Sequence, residues 1–168
     1  MSRKSEVFLL RALFIFGFIL FVPLVRRKPV KDMNEWLLVF FIKSYISTFV
    51  DTILNKKGYV RYPVNLVHHF NTSVLFNYLL FPIACVYYNQ LTKHSSLVGI
   101  LIKVFFISFP MSIIEDWLEK NTQLVKYSRG WSSKVSFYTL TLTFWLVRGL
   151  MALIRRVNKE GAVENSLS

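Results

Sequence analysis

Residues Trp36–Leu54 read WLLVFFIKSYISTFVDTIL. About 20 apolar residues suffice for a helix to cross a bilayer. This stretch has that length, yet Lys43 and Asp51 lie inside it. At about 100° per residue, Lys43, Ser44, Ser47, Thr48, Asp51, Thr52 and Asn55 share one half of the helix. Ile42, Tyr45, Ile46, Phe49, Val50 and Ile53 share the other. Such a helix requires lipid or packed protein on one side and polar company on the other.

Composition widens the reading from one helix to the chain. The 168 residues are 54% hydrophobic and 17% aromatic, with mean hydropathy +0.42. Ordinary globular chains are roughly 45–50% apolar. The expected fold class is therefore all-α, an integral membrane bundle of four to five transmembrane helices. Residues 1–156 form the single membrane domain in this reading, and 157–168 a disordered polar tail. The formal net charge of +12 comes from basic residues clustered at the ends of apolar segments. That pattern suits anionic lipid headgroups rather than nucleic acid, for which no motif is present. Cys85 is the single cysteine, so no intramolecular disulfide is expected.

Outward from the opening stretch, Val7–Val25 reads as an uncleaved first membrane helix. It lacks a small-residue cleavage site, and Arg26, Arg27 and Lys28 follow. Arg26–Glu35 reads as a charged loop, with Asn34 capping the next helix. Gly58 is expected to end that helix. Beyond it, the connector Tyr59–Phe70 carries His68 and His69. Adjacent histidines point about 100° apart, so they do not make a metal site alone.

Asn71–Gln90 is read as a third span. Ser73, Asn77, Phe81, Ala84 and Tyr88 lie on one face, and Asn77 calls for a cross-helix hydrogen bond. Pro82 is expected to kink this segment and release a carbonyl near residue 78. The polar turn Leu91–Ser96 makes an antiparallel hairpin with the fourth span, Leu97–Trp117. Glu115, Asp116 and Glu119 follow as a solvated helix end. The fifth span, Val135–Ile154, carries Lys134, Tyr138, Thr141, Trp145, Arg148, Ala152 and Arg155 at alternating spacings of four and three. That face is turned towards the other helices.

With five spans, nine basic residues flank one side and eight the other, so the positive-inside rule gives no orientation. A segment that does not cross would explain the balance. The half-polar Trp36–Leu54 helix is the first suspect, lying at the interface.

The candidate site is an intramembrane polar network of Lys43, Asp51, Asn77, Lys103 and Arg148. A charge at a helix centre costs about 2.5–3.5 kcal/mol on insertion scales. Asp51 is expected to pair with Lys103 or Arg148, leaving the other cations to backbone carbonyls, Asn77 or a water-filled crevice. No catalytic or metal-binding motif appears, and nothing calls for a cofactor. Two functions compete. One is a non-enzymatic accessory component of a membrane assembly, with a second copy or another membrane protein as partner. The other is a small ion or solute conduit or transporter subunit using the intramembrane charges. An enzyme using Glu115, Asp116 or the histidine pair is a third.

The stretches KGYVRYPVN (Lys57–Asn65), LLFPIACVYYNQLTKHSS (Leu79–Ser96) and FPMSIIEDWLEKNTQLVKY (Phe109–Tyr127) carry a family likeness. Across roughly residues 35–155 the chain resembles a family of small, uncharacterised multi-pass membrane proteins from spore-forming Gram-positive bacteria. The resemblance implies a bacterial cytoplasmic-membrane or spore-membrane setting. It implies no activity, cofactor or catalytic residue.

Overall fold

Trp36–Leu54 lies within one unbroken helix, α2 (Val30–Lys56), in a computed structural model that describes residues 3–26, 30–65 and 72–164. Its polar half faces inward. Lys43 and Asp51 are 1% and 6% exposed, whereas Tyr45 and Phe49 on the opposite half are 74% and 59% exposed. This inversion of the water-soluble pattern follows from the solvent: hydrocarbon accepts the apolar half and rejects the ionised one.

The other helices are α1 (Arg3–Arg26), α3 (Phe81–Leu91), α4 (Leu97–Lys103), α5 (Phe105–Asn121) and α6 (Ser133–Glu164). A π-helical turn, Phe76–Leu80, runs directly into α3. Among the described residues, four helical segments are long and apolar enough to cross a membrane: Lys4–Arg26, Met33–Lys56, Leu97–Asn121 and Ser133–Asn158. The protein is thus a helical bundle of multi-pass membrane type.

Helix α2 meets the length and hydropathy of a span, and the segment that falls short on its own is the π turn with α3. That segment is a core element. Leu75, Phe76, Ile83, Cys85, Val86 and Tyr88 are all buried, and α3 packs most extensively on α2. It runs antiparallel to α2, from the level of Asp51 to the level of Trp36. Neighbouring helices shield it, so it does not need the uniform apolarity of a lipid-facing span. The expected disturbance at Pro82 is the π turn: the Phe81 amide bonds Phe76 O, a five-residue closure ahead of the proline.

Three boundaries differ from expectation. The charged loop before α2 is helical from Val30, so Asn34 lies inside the helix and does not cap it. The backbone of α6 stays helical to Glu164, into the stretch read as a disordered tail. On α6 the inward face is Ser136, Leu140, Thr143, Phe144, Val147 and Met151, together with Thr141 and Arg148. Tyr138 is 69% exposed. The four-and-three repeat therefore mixes inward and lipid-facing positions. The histidine pair lies outside the described residues.

One end of the bundle is closed by a cap. Gly58, at φ 75°, ends α2 in the left-handed conformation its lack of Cβ permits. The chain then forms β1 (Val60–Arg61), which pairs antiparallel with β2 (Lys126–Tyr127) from the α5–α6 connection. The amide of Val64 donates to Gln123 O, that of Ser128 to Tyr59 O, and Arg129 to Lys57 O. Glu6 on α1 accepts from the Gln123 amide. The ring of Tyr59 lies 5.9 Å from that of Trp131. The ladder thus ties together loops that follow two different helices.

Candidate functional site

Beneath the cap lies a cavity of about 60 Å³, lined by every element except α1, α4 and β2. Helix α2 contributes Lys43, Ser47 and Asp51, the π turn Asn77, α5 Glu115, and α6 Ser136 and Thr143. Tyr62 and Trp131 come from the cap.

Asp51 uses both carboxylate oxygens. Oδ1 accepts from the Tyr62 hydroxyl at 2.7 Å, and Oδ2 from Asn77 Nδ2 at 2.6 Å. Hydrogen bonds to a charged group contribute about 1.5–3 kcal/mol each. Lys43, two helical turns deeper, donates to Thr143 Oγ1 at 2.6 Å. Its ammonium lies 4.8 Å from the Phe144 ring centre and 5.8 Å from that of Phe81. Two π faces and one hydroxyl hold this cation, with no carboxylate bonded to it among the described residues. Glu115 accepts from the Ser136 hydroxyl at 2.7 Å. It faces into the bundle, not into solvent, which corrects the reading of its helix end. Only its neighbours behave as expected there, with Asp116 pairing with Lys120 at 2.7 Å.

Outside the spans, two phenols feel the site. Burial raises Tyr62 well above the ordinary phenol value, and the Asp51 charge adds to that. Burial likewise raises Tyr127, with the Glu115 charge as the next cause.

The five residues of the expected network do not form one network. Lys43, Asp51 and Asn77 line the cavity together. Arg148 lies apart: its Nε donates to Thr92 Oγ1 and its Nη2 to Thr92 O, both at 3.0 Å. Lys103 reaches back to the α3–α4 turn, donating to Ser95 Oγ at 2.9 Å and Leu91 O at 3.4 Å. Neither pairs with Asp51, so that expectation is corrected. Both cations take backbone carbonyls, as a guanidinium and an ammonium near a helix C-terminus favour.

Sequence reasoning missed Tyr62, Thr143, Ser136 and the inward turn of Glu115. A signal existed for the last. Ser108, Ser112 and Glu115 recur at spacings of four and three along α5. Each meets α6: Ser108 Oγ accepts from Thr141, Ser112 donates to Ser133 O, and Glu115 accepts from Ser136. The α5–α6 interface is a polar seam. Tyr62 carried no such signal, because only the β1–β2 ladder places it over the cavity.

No family model, curated protein or solved structure matches this chain.

The site's chemistry must therefore come from its own geometry. Among the described residues, no three His, Cys, Asp or Glu side chains gather to hold a metal ion. Ser47 and Trp131 line the cavity, and their Oγ and Nε1 are buried without a hydrogen-bond partner among the described residues. A buried donor or acceptor left unpaired costs about 1–3 kcal/mol. The cavity exceeds the roughly 10–15 Å³ that one water requires. It falls far below the roughly 300 Å³ at which organic-ligand pockets begin.

Proposed function

We propose that this multi-pass membrane protein is a small conduit or transporter subunit that carries a proton or a small cation through the capped chamber. The observation that supports the reading is the convergence of Lys43, Asp51 and Glu115 on one cavity inside apolar helices. Arg148 and Lys103 are held by hydroxyls and carbonyls of the α3–α4 turn and do not line the cavity. The three chamber charges bond neutral partners and face a space the size of a few waters. Asp51 and Glu115 are the groups that hold and pass the ion, and Lys43 offsets their charge. Cavity size favours an ion over an organic solute. The proposal includes no cofactor and no covalent chemistry. It includes the bacterial cytoplasmic- or spore-membrane setting that the family resemblance implies.

The test is reconstitution in vesicles, with proton, sodium and potassium flux read separately under an imposed potential. Flux that Asp51→Asn abolishes and Arg148→Lys leaves intact supports the reading. Wild-type vesicles that pass none of the three ions refute it, leaving the accessory role in a membrane assembly as the function to pursue.

A further inference from the structure

On the face of α2 turned away from the chamber, Tyr45 is 74% exposed near the midpoint of the span Met33–Lys56. At about 1.5 Å per residue, each end of the span is roughly 16–18 Å away along the axis. A phenol is too short to reach water from there. Its ring stacks on Phe49 at 6.5 Å, but its hydroxyl bonds nothing among the described residues. Acyl chains offer no acceptor, so hydrocarbon alone leaves this group unsatisfied. Tyrosines facing lipid gather at the headgroups instead.

Tyr45 borders a groove of about 790 Å³ between α2 and the π turn. The floor of the groove is Ser44, Thr48 and Thr52, four residues apart. Ser44 and Thr52 turn their hydroxyls back onto their own helix, bonding Phe40 O at 2.8 Å and Thr48 O at 2.7 Å. Beside this low floor stands a ridge of Phe41, Tyr45, Phe49 and Ile53, also four apart and all exposed. Tyr78, on the π turn, also lines the groove; it is 42% exposed and likewise makes no hydrogen bond among the described residues. The depth of Tyr78 follows from its neighbours. Asn77 bonds Asp51, and the Phe81 ring lies 5.8 Å from the Lys43 ammonium. Tyr78 therefore sits between the levels of Lys43 and Asp51, as Tyr45 does.

We infer that this groove is the contact between two copies of the chain, paired about a two-fold axis along the membrane normal. A ridge and a groove of equal spacing lie side by side on one helix. Such a surface complements itself, because the ridge of each copy enters the groove of the other. The axis keeps every residue at its own depth, so Tyr45 of one copy meets Tyr78 of the second. A phenol both donates and accepts, and the pair forms twice by symmetry. An acyl chain fills the same volume but leaves both phenols unsatisfied. A foreign helix needs a polar group matched to this depth, which a second copy already carries. Lys43 and Asp51 lie on the opposite half of α2, so the contact stands whether or not the chamber conducts.

The experiment measures energy transfer between donor- and acceptor-labelled full-length chains in liposomes at falling protein-to-lipid ratio. In parallel, Phe49→Cys and Phe106→Cys, both at lipid-facing positions (59% and 72% exposed), are oxidised in the membrane. Transfer that saturates at a dimer is expected, with covalent dimers from Phe49→Cys and none from Phe106→Cys. Tyr45→Phe should raise the dissociation constant about tenfold. Tyr138→Phe, at another exposed phenol, should leave it unchanged, and Thr48→Phe, which fills the groove, should abolish the dimer. A wild type that is monomeric at every ratio overturns the proposal, whether or not the variants fold. Equal cross-linking at Phe49 and Phe106 overturns it too. A monomeric chain that cross-links through Phe49→Cys to a different membrane protein assigns the groove to a foreign helix and refutes self-pairing.

Discussion

The Tyr62 hydroxyl, on the cap, donates to Asp51 Oδ1, on α2, at 2.7 Å. Among the hydrogen bonds described above, this is the one by which the cap holds a charged group of the chamber. Closure of the end and the state of the carboxylate are therefore one structural variable. Replacing Tyr62 with Phe keeps the ring and removes the donor. The expected result is a loss of about 1–3 kcal/mol, the cost of an unsatisfied buried acceptor. Ion flux should change in the same variant. Thermal unfolding in detergent and vesicle flux read the two effects separately, and flux unchanged from wild type would disconnect the cap from the chamber.

Lys43→Met retains the apolar stem and deletes a charge bonded to no carboxylate among the described residues. Breaking a tight buried ion pair costs about 3–5 kcal/mol, whereas removing a charge without an opposite partner relieves desolvation. The folded variant should be as stable as wild type or more so, while its ion flux falls. A large drop in melting temperature would show that Lys43 is a structural strut.

Exchanging Asp51 and Arg148 tests the corrected pairing. The two groups have separate partners, Tyr62 with Asn77 on one hand and Thr92 on the other. The double exchange should therefore be worse than either single change, with losses adding as they do for distant sites. Membrane abundance measures this. Abundance restored in the double variant would reinstate the direct pair.

The direction of α2 predicts sidedness. Lys31→Cys and Lys93→Cys lie at one end of the bundle and Lys57→Cys at the other. An impermeant thiol reagent should label the first two from the same face of the membrane and the third from the opposite face. Labelling of all three from one face would place α2 along the interface.

Stability should fall at high pH for a reason outside the spans. Tyr62 and Tyr127 have folded pKa values above the ordinary phenol value of 10.0, so the fold holds its phenolic protons more tightly than the unfolded chain does. The contribution is complete below that value and is lost as pH rises through the folded values. Melting temperatures should be flat towards pH 9 and decline above 10. The decline should be smaller in Tyr62→Phe, relative to its own plateau. Phenolate absorbance rising at the ordinary value for every tyrosine would remove the cause.

Much of this architecture was legible in the sequence because hydrocarbon imposes a simple rule. The inward half of α2, its stop at Gly58 and the break near Pro82 all follow from side-chain type and spacing. Asn77 declared its need for a partner, and Asp51 supplies it. The partners of the charges were not legible. Arg148 could equally have satisfied its donors on a carboxylate or on Thr92, and only the rotation of α6 decides. Glu115 looked like a helix end because Asp116 and Glu119 surround it. Its face becomes clear only when Ser108 and Ser112 are counted with it. Tyr78 joins the groove on α2 from a distant part of the chain, and no local pattern places it there.

The inverted burial of α2 has a cost during synthesis. Asn77 follows Asp51 by 26 residues, and Thr143 follows Lys43 by 100. At about 5–20 residues per second, Lys43 waits roughly 5–20 s for its hydroxyl partner. Throughout that interval the nascent helix exposes an ammonium that acyl chains reject. The insertion machinery must shelter α2 until α6 emerges. Any chain interrupted before α6 leaves an orphaned charge in the bilayer, a mark by which membrane quality control can recognise it for degradation.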